Sequence, residues 1–137
     1  MFTSNPKRKS TKAGIALTAE ARSKLQQLAD WIERELEGNQ NPLVRLEYYG
    51  GVVTFKDRNC TYVSPMGALV QMFQPFTLAD AKKLRYGVYR ADHYDLAVRV
   101  ANILGITMGD YLLLTRYLYN SPTLAFASIA KTLRTLK

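Results

Sequence analysis

At 137 residues, 47% of them hydrophobic and 22% charged, the chain is expected to form one domain with its own core. No apolar run approaches the roughly 20 residues of a membrane span, no apolar signal core opens the sequence, and a cytoplasmic location is expected. Cys60 is the only cysteine, which excludes an intramolecular disulfide and a cysteine-only zinc site. Nineteen Lys and Arg against eleven Asp and Glu give a net charge of +8, a balance that points to a polyanionic partner, nucleic acid first.

Residues 1–14 carry Lys7, Arg8, Lys9 and Lys12 with no acid and no periodicity, and read as a flexible basic arm. Residues 15–137 read as a single α+β domain. Thr18 is suited to cap a helix in which Leu25, Leu28, Ala29, Ile32 and Leu36 recur at helical spacing, with Gly38-Asn39 as its stop. From Pro42 the period changes to two. Residues 43–49, 52–55 and 60–63 read as three strands, joined by Gly50-Gly51 and by the turn 56–59, which predicts a three-stranded antiparallel meander. Ser64-Pro65 closes it before a short helix or loop through Met72, and Thr77 is placed to cap a second short helix from Leu78 to about Lys83. Residues 15–83 thus form a helix plus a meander.

The remainder reads as a mainly helical half. Residues 84–89 alternate as one more strand, and Asp92 sits where a helix N-terminus favours an acid. Tyr94, Ala97, Val98, Ala101 and Leu104 share a helical face that Leu96, Val100 and Ile103 widen, Gly105 ends the helix, and Thr107 starts another through Tyr119. Ser121-Pro122 predicts the start of a C-terminal helix over 121–137, with Phe126, Ile129, Ala130, Leu133 and Leu136 on its buried stripe.

Nothing here points to catalysis. The lone His93 and lone Cys60 lie far apart, Asp92-His93-x-Asp95 do not share a helix face well, and no Walker, dinucleotide or nucleophile-elbow spacing occurs. The expectation is a chain with no catalytic residue, no metal and no cofactor.

Residues 84–119 carry a more specific pattern: Tyr94-Asp95-Leu96-Ala97-Val98-Arg99-Val100-Ala101, then Leu104-Gly105-Ile106-Thr107, then Gly109-Asp110-Tyr111-Leu112. This segment resembles the ribbon-helix-helix family of DNA-binding proteins, the Arc-like and CopG-like repressors. The resemblance implies a homodimer whose paired strands enter the major groove, while the second helix grips a phosphate at its N-terminus. Carried onto this sequence, it implies that Arg85, Gly87 and Tyr89 share the reading face of the strand. It makes Thr107, Met108 and Gly109 the phosphate-gripping turn.

Together with the basic residues Lys82 and Lys83 and the arm, these residues form the expected contact set for double-stranded DNA. The leading expectation is a non-enzymatic transcriptional regulator or DNA-transaction accessory factor, acting as a homodimer and not at a membrane. A protein-interaction module that self-assembles or docks on a partner is the alternative. An RNA-binding module comes third, because Tyr48, Tyr49 and Tyr62 are interleaved with Arg45, Lys56 and Arg58.

Overall fold

A computed structural model describes residues 8–38, 44–47, 52–57, 60–120 and 125–137. The chain enters through a small hairpin, β1 (Arg8–Ser10) against β2 (Ala16–Thr18), turned at Gly14 in the left-handed region with φ 80°. Ile15 and Leu17 are buried and anchor this hairpin in the core, so of the expected flexible arm Arg8–Ser10 are paired as a strand and residues 11–14 form the turn; Lys7 lies outside the described residues.

Helix α1 (Ala19–Leu36) begins as expected at Thr18, whose hydroxyl accepts from the Ala21 amide at 3.1 Å. Its buried stripe, Leu25, Leu28, Ala29 and Ile32, is the one the spacing predicts. Three strands follow, β3 (Val44–Leu46), β4 (Val53–Asp57) and β5 (Cys60–Val63), then helix α2 (Pro65–Phe73), capped by the Ser64 hydroxyl. A short 3-10 turn at Leu78–Asp80 leads into β6 (Lys82–Lys83) and β7 (Tyr89–Arg90). The last part is helical: α3 (His93–Leu104), α4 (Met108–Leu118) and α5 (Phe126–Arg134).

The overall class is α+β, but the sheet is not a meander. Its order is β3-β5-β4-β7-β6, with β3 running parallel to β5 and every other neighbour antiparallel. The expected β3–β4 hairpin is absent because β4 already has partners on both edges, β5 on one and β7 on the other. β3 takes the open edge of β5 instead, where Val44 and Leu46 pack against the core. The Gly50-Gly51 turn lies outside the described residues.

Two further expectations are corrected. The second short helix stops at Asp80, and Lys82–Lys83 pairs as a strand. The C-terminal helix starts at Phe126 behind Ala125, later than the expected start at Ser121-Pro122, which itself falls outside the described residues.

Val53, Phe55 and Val63 on the inner face of the sheet meet Leu25, Leu28, Ile32, Leu69, Leu96 and Val100 from α1, α2 and α3 in one core. Helix α5 closes the far side of α1. Gln26 donates to the Leu133 carbonyl at 2.8 Å, and Arg134 pairs with Asp30 and Glu33. Val100 and Leu104 are buried within this one chain.

Candidate functional site

The segment 84–89 does not form the single strand expected before α3. Tyr89 pairs with Lys83 and Arg90 with Lys82, so residues 82–90 form a hairpin. The Leu84 amide bonds the Val88 carbonyl at 2.6 Å, the Gly87 amide bonds the Leu84 carbonyl at 3.2 Å, and Gly87 has φ 76°. This is the short loop closed by a left-handed glycine that follows the twist of a hairpin. The alternation that reads as a strand is therefore a turn, with Arg85 and Tyr86 at its tip.

The hairpin carries four cations, Lys82, Lys83, Arg85 and Arg90, and no acid. All four are exposed, and Tyr86 at the tip is 87% exposed. Tyr89, expected on the reading face with Arg85, instead lies opposite Phe55 on the inner face and packs against the core. Arg90 takes the outward position. Its signal was present in the sequence: Lys82-Lys83 and Tyr89-Arg90 flank a loop with glycine late in it.

Several contacts hold the hairpin at the start of α3. The Asp92 carboxylate caps that helix, accepting from the amides of Tyr94 at 2.9 Å and Asp95 at 3.2 Å, and lies 3.7 Å from the Lys82 ammonium. The Asp95 amide, then Tyr94 and Lys82, hold the Asp92 carboxyl below the usual range. Upstream, Arg99 of α3 donates to the carbonyls of Gln74 and Pro75, both at 2.9 Å, stacks over Phe76 at 3.8 Å and approaches Asp80 at 3.7 Å. The loop that delivers β6 is thus fastened to the same helix as β7. Asp80 in turn accepts from the Thr77 amide at 2.8 Å, the main cause of its lowered pKa.

The rest of the expected contact set lies at the opposite end of α3, about 18 Å away for a helix of this length. Gly105 ends α3 at φ 63°, and its carbonyl accepts from Arg8 at 3.0 Å, while Lys24 donates to the Ile103 carbonyl at 3.0 Å. Cations there complement the negative end of the helix dipole. Arg8 therefore has a capping contact within the chain; Lys9 and Lys12 are exposed. The Thr107 hydroxyl caps α4 by accepting from the Asp110 amide at 3.1 Å, and Met108 and Gly109 form its first turn. The structure splits the predicted residues into a hairpin group and a turn group, with α3 between them.

Helix α4 turns 96° away from α3, and its outward residues include Gly109, Leu112, Leu113 and Arg116. That face is too apolar to read polar base edges. The strand the ribbon-helix-helix resemblance requires to be open to a second chain, here β7, is held between β4 and β6. Among the described residues, no three His, Cys, Asp or Glu side chains are grouped to hold a metal ion, and no single helix is long and apolar enough to cross a membrane. No known protein family, curated protein or solved structure matches the chain.

Proposed function

We propose that the chain is a non-enzymatic DNA-binding protein, regulatory or accessory in role, that contacts duplex through the hairpin 82–90. The observation that carries this reading is a hairpin at the edge of the sheet with four exposed cations, no acid and an exposed aromatic tip. Arg85 at the tip can reach a groove edge while the Lys and Arg side chains beside it contact phosphates.

A salt titration tests it. Duplex affinity should fall linearly on a log-log plot against salt, and Lys83→Ala with Arg85→Ala should reduce that slope by about two units, roughly one per lost phosphate contact. An unchanged slope in the double variant would remove the hairpin from the interface. Arg85→Lys, which keeps the charge and loses the planar fork, separates base reading from phosphate contact: only base reading costs affinity at a preferred site while sparing random duplex.

A second reading, self-association, is favoured by Leu112 and Leu113 on α4, which are 60% and 41% exposed. Sedimentation of Leu112→Glu beside the parent chain tests it. An assembly that survives the substitution does not use this face.

A further inference from the structure

The strand register aligns one residue from each of the five strands across the outer face of the sheet. Arg45 lies beside Tyr62, Tyr62 beside Thr54, Thr54 beside Arg90, and Arg90 beside Lys82. Residues paired in register share a face, and at about 4.8 Å per strand the row is roughly 19 Å long. Its inner counterpart, Val44, Thr61, Phe55, Tyr89 and Lys83, contains the apolar residues that meet the core. The outer row contains three cations, one aromatic ring and no acid. Arg45, Arg90 and Lys82 are exposed and Tyr62 is half-buried.

We propose that this outer face is a platform for an unpaired nucleic-acid strand, with Tyr62 as the stacking surface and Arg90 and Lys82 as phosphate contacts. The proposal rests on the nucleic-acid reading above and names a second substrate class for it. The face of a five-stranded sheet cannot enter a groove, so it offers a duplex only phosphate contacts. The bases of an unpaired strand can stack on an aromatic ring while cations beside it follow the backbone. The hairpin continues the same sheet, so a duplex held at its tip and a single strand on the face can be neighbours.

A second observation lies at the centre of the row. Thr54 is 4% exposed, and its hydroxyl has no hydrogen-bond partner. A buried polar group without a partner is disfavoured and calls for one. Thr54 sits directly between Tyr62 and Arg90. A phosphate oxygen or base edge of a strand laid on this row would pair with the hydroxyl once either flanking side chain swings aside.

The test uses the full chain and fluorescence anisotropy with labelled oligothymidylate and oligouridylate of about 12 nucleotides, and with random duplex. Tyr62→Ala should weaken single-strand binding about 5- to 150-fold, the range for loss of one stacked base, and leave duplex binding in place. Tyr62→Phe should retain the parent affinity for both. Equal loss for the two oligonucleotides assigns the platform to bases rather than to either sugar; loss for one alone assigns it to that polymer.

Should Tyr62→Ala fail to fold, Tyr62→Trp supplies the measurement. Its emission should be quenched by the oligonucleotide beyond any quenching of Trp31 in the parent chain. Unchanged single-strand affinity in a folded Tyr62→Ala, or an unquenched Tyr62→Trp at saturation, overturns the proposal. Lys83→Ala with Arg85→Ala keeps the two readings apart. If it spares duplex binding while Tyr62→Ala abolishes single-strand binding, the platform stands and the hairpin reading falls. If the parent chain binds neither polymer, both fall.

Discussion

Replacing Gly67 by alanine should destabilise the fold, although alanine is the better helix former. Gly67 lies in the first turn of α2, and a Cβ there would sit 2.1 Å from the Val52 carbonyl oxygen and 3.0 Å from Val53 Cγ2. The first distance is more than an ångström short of an ordinary contact, and the obstacle is backbone, so no side-chain rotation relieves it. That backbone is also pinned. The Val52 carbonyl accepts from the Ser64 amide at 3.0 Å, and the buried Ser64 hydroxyl accepts from the amides of Val52 at 3.1 Å and Gly67 at 3.0 Å.

Moving α2 far enough to admit the methyl group breaks this cap, worth about 1 kcal/mol, and leaves a buried polar group unpaired at about 1–3 kcal/mol. The gain of alanine over glycine in a helix returns about 1 kcal/mol. The net expectation is a loss of about 1–3 kcal/mol, or a melting temperature lower by roughly 4–12 °C for a chain of this size. Urea unfolding followed by circular dichroism measures it. Gly109→Ala is the control: its Cβ would meet only the Thr107 hydroxyl at 3.7 Å, so stability should hold or rise by up to about 1 kcal/mol. A Gly67→Ala chain as stable as the parent would show that α2 does not rest on β4 as described.

Three other outcomes are expected. Glu33, held low by the Arg134 side chain, Asp80, by the Thr77 amide, and Asp92, by the Asp95 amide, all have folded pKa values below their unfolded ones. Their stabilisation is complete above about pH 4 and lost as pH falls through the folded values, so thermal melts should shift downward only in that acid window. Burial raises Tyr111 and Tyr119, so the stability tied to their neutral phenols is present below about pH 10 and lost above it. Tyr119→Phe, which removes a buried hydroxyl that has no hydrogen-bond partner, should weaken this alkaline loss in urea titrations at little cost near neutrality. Gly87→Ala, forced into the left-handed region, should strain the hairpin by about 1–2 kcal/mol, lower the melting temperature by roughly 4–8 °C and lower duplex affinity in an anisotropy titration.

The helices were legible because their signals are local. Thr18 caps α1 as expected, Asp92 and Thr107 cap the helices at whose starts they were placed, and Gly105 ends α3 in the conformation glycine favours. The sheet was less legible because pairing is not local. Residues 44–46 have the pattern of a half-buried strand, but nothing in that pattern says whether the partner is β4, next in sequence, or β5 beyond it. The phase of 84–89 failed for another reason: Leu84, Tyr86 and Val88 alternate with Arg85, Gly87 and Tyr89 whether the segment is extended or folded at Gly87. Placing the glycine in a turn puts Arg90 outward and Tyr89 inward, which reverses the face assigned from the sequence. Tyr62 was noted as part of a basic aromatic strand, but its alignment with Arg90 and Lys82 depends on a strand order only the folded chain defines.

The clamp between α1 and α5 sets a schedule for synthesis. Roughly ninety residues separate Leu36 from Phe126, and at about 5–20 residues per second a ribosome takes some 5–18 seconds to deliver the second helix after the first. Through that interval Asp30 and Glu33 lack Arg134, and the side of α1 that α5 will cover stays exposed. The nascent chain can form its local helices and the β4–β5 hairpin early, but its core closes late. Asp30 and Glu33 stay hydrated on that waiting helix face until Arg134 arrives to pair with them.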